Sequence, residues 1–109
     1  MADATELLHG TLDTLILKTL SWGPRHGYGI ARFIQDGAGG DVLRIGEGSL
    51  YPALYRMEKK GWISAEWGTS ETGRDVKFYR LTPQGRARLR KELAQWAAFT
   101  SAVGRILEA

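Results

Sequence analysis

The sequence predicts a mainly α domain of the α+β class, ordered helix, helix, helix, hairpin, helix. Apolar residues recur at steps of three and four in several stretches, which marks amphipathic helices. Two short runs rich in aromatic and β-branched residues flank a polar loop with two glycines, which marks a hairpin. The 109 residues are 43% hydrophobic and 25% charged, enough apolar material for one modest core.

The first helix is expected from about Thr5 to Ser21, with Leu8, Leu12, Leu15, Ile16 and Thr19 on one face. Trp22-Gly23-Pro24-Arg25 ends it, because glycine and proline stop helices. The second runs from about His26 to Gln35, and His26 suits a capping role at its start. Gly37 to Asp41 then forms a turn. The third helix starts between Gly46 and Ser49 and ends at Lys60-Gly61. Ser49 is its expected N-cap, Pro52 falls in its first turn, and Leu50, Leu54 and Met57 make its core stripe.

Trp62–Trp67 and Val76–Leu81 are the expected strands, joined by the loop from Gly68 to Asp75. Trp22, Trp62 and Trp67 lie at element ends and are expected to pack on the core or the hairpin. Thr82-Pro83 opens the last helix as N-cap and first helical residue, and the helix continues to about Leu107. Leu89, Leu93, Trp96, Thr100, Val103 and Leu107 alternate steps of four and three, a coiled-coil-like seam with one polar step. Residues 1–82 and 83–109 are therefore expected to form a folded body and a helix that joins two copies, as one compact unit.

Composition excludes several classes. The chain has no cysteine, so disulfides, thiolate metal sites and cysteine nucleophiles are out. Its two histidines alone do not make a structural zinc site. No nucleophile elbow, phosphate loop or dinucleotide fingerprint occurs, so neither enzymatic activity nor a cofactor is expected. The absence of cysteine also fits a reducing cytoplasm, the first ten residues lack a secretory pattern, and no apolar run reaches membrane-spanning length. Net charge is +3, but residues 56–91 hold ten Lys or Arg against four Asp or Glu. Such a concentration of positive charge attracts polyanions.

Three helices followed by a basic hairpin make a winged helix-turn-helix with a two-stranded wing. The third helix would lie in the major groove of double-stranded DNA, with the wing on the adjacent phosphates. Tyr51, Tyr55, Arg56 and Lys59 stand outside the third helix's core stripe, and Arg74 and Lys77 lie on the wing. Ser49, with Glu47 near it, would approach base edges at the helix start. A module used only for protein–protein assembly is the alternative, and the clustered charge argues against it.

The chain also resembles the PadR family of transcriptional regulators, in particular its short members with a single C-terminal helix. The resemblance rests on Gly10–Leu17, His26-Gly-Tyr-Gly-Ile30, Gly48-Ser-Leu-Tyr-Pro-Ala-Leu54 with Met57-Glu58 and Gly61-Trp-Ile63, and Phe78–Thr82 with Gly85. It implies a homodimeric regulator, usually a repressor, under ligand control in many members. It also implies that Tyr28, Ser49, Tyr51, Tyr55, Arg74 and Lys77 face DNA. Family dimers form mainly through the C-terminal helix packing on the partner's helices. Leu8, Leu12, Leu89, Leu93, Trp96, Val103 and Leu107 are the expected dimer contacts. Trp96 is the one residue singled out for an aromatic effector, with dimer packing as its plainer role.

Overall fold

The computed structural model describes residues 10–40 and 42–109. In chain order the elements are α1 (Leu12–Leu20), β1 (Arg25–His26), α2 (Gly27–Gly37), α3 (Glu47–Lys59), β2 (Ile63–Thr69), β3 (Asp75–Leu81) and α4 (Pro83–Leu107). The expected beginning of the first helix, and Leu8 with it, lie outside the described residues.

The core forms where the apolar stripes converge. Ile16, Leu17 and Leu20 of α1, Ile30 and Ile34 of α2, and Leu50, Leu54 and Met57 of α3 are all buried there. Ile63, Tyr79 and Leu81 close it from the sheet, and Leu89 from α4. Leu89 was expected on the dimer seam, but it is only 7% exposed and belongs to the protomer's own core. Leu12 also packs partly against that core.

The sheet has three strands in the order β1-β3-β2, all antiparallel, rather than the expected two. β1 pairs Arg25 with Tyr79 and His26 with Phe78, so it ties the start of α2 to the wing. Two residues carry no alternation of their own, and this strand exists only because β3 offers it a partner edge.

The start of α3 also differs from expectation. Gly46, extended at φ −80° and ψ 155°, is the N-cap, and its carbonyl accepts from the Leu50 amide at 2.9 Å. Ser49 therefore lies inside the first turn, and Pro52 sits one turn deeper than expected. Pro52 offers no N–H to the Gly48 carbonyl, but Gly48 is exposed and water can serve that oxygen. Glu47 in the first turn suits the helix dipole.

Thr82 caps α4 as expected, accepting from the Gly85 amide at 3.0 Å. Its hydroxyl also points to the Gly61 and Trp62 carbonyls at 2.6 and 2.9 Å, pinning the helix to the root of the hairpin. A Cβ at Gly85 would stand 2.0 Å from the Trp62 carbonyl oxygen, so only glycine permits this approach. Thr14 of α1 donates to Glu92 at 2.6 Å, and Arg88 pairs with Glu92 at 2.9 Å. The Thr14–Glu92 bond joins the first half of α4 to α1, and Arg88 holds the Glu92 carboxylate within α4. The side chains of the second half are largely exposed.

Candidate nucleic-acid interface

Three elements converge on one side of the molecule. His26 caps α2, its Nδ1 accepting from the Gly29 amide at 3.0 Å, as its position in the sequence suggests. Its ring also lies 5.5 Å from that of Phe78, which ties the cap to β3. With the first turn of α2 so fixed, Tyr28 projects outward, 68% exposed. The core stripe of α3 is buried, which forces its other residues out. Ser49 is exposed, Tyr51 is 45% exposed and Tyr55 is 62% exposed.

Tyr51 owes its position to a glycine. A Cβ at Gly27 would fall 2.6 Å from the Tyr51 hydroxyl, so the ring occupies space that any other residue at 27 would fill. Gly27 is thus a packing requirement. Behind Tyr51 lies Tyr79, whose phenol is pushed above its ordinary value of 10.0 by burial, with Glu58 and Tyr51 adding to the effect. At neutral pH Tyr79 is a hydroxyl without charge.

The cations are arranged less uniformly than the tyrosines. Lys59 lies over the Tyr55 ring at 5.2 Å, on the outer face of α3. Arg56 pairs with Asp13 of α1 across the helix interface. Lys77 reaches to 4.0 Å from Glu58 of α3, and Arg74 is exposed at the turn of the wing. Ion pairs this open contribute about 0–1 kcal/mol, so exchange of either carboxylate for a phosphate costs little.

An open cleft of about 960 Å³ separates the start of α2 from the wing. Tyr28, Tyr51, Arg74 and Lys77 line it, together with Arg25, Arg32 and Trp67. Ser49, Tyr55, Arg56 and Lys59 do not line it and lie along α3. The candidate residues thus divide between the outer face of α3 and the cleft beside it. Sequence reasoning missed three cleft residues. Arg25 stacks on Phe33, its guanidinium carbon 4.3 Å from the ring centre, and Arg32 pairs with Asp36 at 3.5 Å. Trp67 was expected to pack but is 68% exposed, and Trp22 is exposed as well. Strand alternation offered the missing signal for Trp67, because it continues the Ile63 and Ala65 row past the end of the core.

A second feature lies on α4. Leu93, Trp96, Phe99, Val103, Ile106 and Leu107 form an exposed apolar stripe from the middle of the helix to its end. Trp96 and Phe99 lie with ring centres 6.0 Å apart. Among the described residues no group of three or more His, Asp or Glu could hold a metal ion. Among the same residues no helix is long and apolar enough to cross a membrane.

Three packed helices, a strand-paired hairpin and an outward α3 face define a winged-helix regulator of transcription. Comparison with known proteins gives the family. The model described as "Transcriptional regulator PadR-like family" matches residues 16–91, and the chain belongs to that family. A transcriptional regulator from Clostridium thermocellum superposes with a TM-score of 0.83 at 30% identity, covering 92% of this chain and 96% of that one. A PadR family regulator from Eggerthella lenta gives 0.80 at 34% identity, covering 95% and 88%. "Uncharacterized protein X" of Lysinibacillus sphaericus is 31% identical over 104 residues, 95% of this chain and 94% of that protein. The family's members are regulators of transcription rather than enzymes.

Proposed function

We propose that this PadR-family regulator acts as a cytoplasmic homodimeric repressor on a pseudo-palindromic operator. One observation carries the proposal: the outward α3 face of Ser49, Tyr51 and Tyr55 stands beside a cleft walled by Arg74 and Lys77. Hydroxyls and cations of this kind bind phosphate oxygens, while the start of α3 is left to meet base edges. Arg56 and Lys59 add charge along the same helix.

Homodimerisation is supported by the apolar stripe on α4. Leu93, Trp96, Val103 and Leu107 are exposed in one protomer, and an apolar stripe this long is unusual on a chain that remains single. Leu12, only partly buried, borders the same region through the packing of α1 on α4. Trp96 and Phe99 offer aromatic surface on which a flat aromatic effector would stack to relieve repression, with dimer packing as the plainer role of Trp96.

Footprinting on fragments of the source genome tests the proposal. The expected result is a protected inverted repeat with half-site centres spaced roughly 10 bp apart. Affinity falls steeply with salt, and Lys77→Ala weakens all sequences alike. Ser49→Ala shifts the preferred sequence instead. Absence of any protected repeat at low salt overturns the proposal. Quenching of tryptophan fluorescence by an aromatic panel, lost in Trp96→Ala, tests the effector.

A further inference from the structure

We propose that Trp67 is a further DNA contact, an apolar anchor on the wing that covers a deoxyribose while Lys77 meets a neighbouring phosphate. The inference rests on the DNA-binding function proposed above and adds a residue to it.

Trp67 lies on β2 directly opposite Lys77 of β3. Residues opposite each other in an antiparallel pair share a face. Lys77 reaches toward Glu58 of α3, so this face of the hairpin looks toward α3. Ile63 is buried and Ala65 partly buried on the same row, and Trp67 is the next position outward, where the core has ended.

The other tryptophans of the body are treated differently. Lys18 lies over Trp22 at 5.5 Å, and Trp62 is flanked by Lys60 and Arg88, each at 4.8 Å. Among the described residues no cation or ring stacks on Trp67. Its large apolar surface therefore faces water beside a lysine and within the same cleft as Tyr28 and Tyr51.

The position fits duplex DNA rather than a purely apolar partner. The indole has two flat apolar faces that suit a sugar and one N–H that suits a phosphate oxygen. Arg25, Arg32, Arg74 and Lys77 outweigh Glu71 and Asp75 in the cleft lining and leave the net positive charge that a polyanion requires. The wing is also the element that meets the backbone beside a groove occupied by the recognition helix. Covering roughly 60 Å² of the ring corresponds to about tenfold in affinity.

The test measures binding of a labelled operator duplex by the full chain at several salt concentrations. Wild type, Trp67→Ala, Trp67→Phe and Lys77→Ala are compared, with sedimentation of each protein alone. Trp67→Ala is expected to bind about tenfold more weakly with an unchanged salt slope, because no charge is lost. Trp67→Phe recovers most of that loss. Lys77→Ala lowers the slope by about one. A Trp67→Ala protein that binds within twofold of wild type overturns the inference alone. So does one whose slope falls with its affinity, because the wing has then moved and carried Lys77 with it. A changed sedimentation coefficient for Trp67→Ala also overturns it, by assigning the ring to a second copy of the chain. A wild-type chain that binds no duplex overturns the DNA-binding proposal together with this one.

Discussion

Leu89 and Trp96 stand on one seam of one helix and meet opposite fates. Leu89 is 7% exposed and belongs to the core cluster, whereas Trp96 is 47% exposed. Nothing in local chemistry separates them, since both are large apolar residues at equivalent helical positions. The difference is the length of the rod: 25 residues rise about 37 Å, and the body flanks only the first half. Helical periodicity shows which residues share a face. It does not show whether the covering surface belongs to the same chain. The proximal half of α4 is thus part of the fold, and the distal half carries the exposed apolar stripe on which the proposed dimer rests.

Substitutions at the two ends test this contrast. Gly85→Ala has the largest expected effect, because its Cβ would meet the Trp62 carbonyl oxygen and backbone cannot rotate away. A loss of about 3 kcal/mol in denaturant unfolding is expected. A loss below about 1 kcal/mol would show that α4 lifts from the wing root easily, and the contrast would weaken. Leu89→Ala follows, with about 2–3 kcal/mol for removing a buried leucine. Its partner experiment is Trp96→Ala, which should leave protomer unfolding at high dilution nearly unchanged. Under the proposed dimer, sedimentation equilibrium should then show self-association at least about tenfold weaker.

Gly27→Ala is expected to be milder in stability, about 1 kcal/mol or less, because the obstacle is the far end of a tyrosine side chain. It should nevertheless displace Tyr51 and weaken operator binding several-fold in a mobility-shift titration. The smallest effect is expected from Tyr79→Phe. The Tyr79 phenol is raised above 10.0 in the folded state. The unfolded chain therefore loses that proton first, and folded stability falls as pH rises above about 10. Tyr79→Phe should flatten this alkaline decline, measured as melting temperature between pH 9 and pH 11.

Much of this architecture was legible from spacing alone. Leu50, Leu54 and Met57 are buried as their steps of four and three require, and the Thr82-Pro83 start of α4 is where the sequence puts it. Capping by His26 was also readable, because helix starts leave amides that need an acceptor. The features that escaped have long-range causes. β1 is two residues long and is defined by β3, more than fifty positions away. The N-cap of α3 fell to Gly46 because the chain arrives there already extended, so Ser49 was enclosed within the helix. Trp67 looked like packing material since large rings usually are, but the core stops one strand position earlier. The cleft joins residues from α2, α3 and the wing, and no local pattern brings them together.

The contact between Gly27 and Tyr51 has a consequence for descent. The two positions are coupled by space, since the ring fills the volume that a side chain at 27 would need. A lineage that gains a methyl group at 27 must swing the Tyr51 ring aside or carry a smaller residue at 51. Under the proposed DNA-binding role, a change at the buried position 27 would therefore alter binding through the Tyr51 ring.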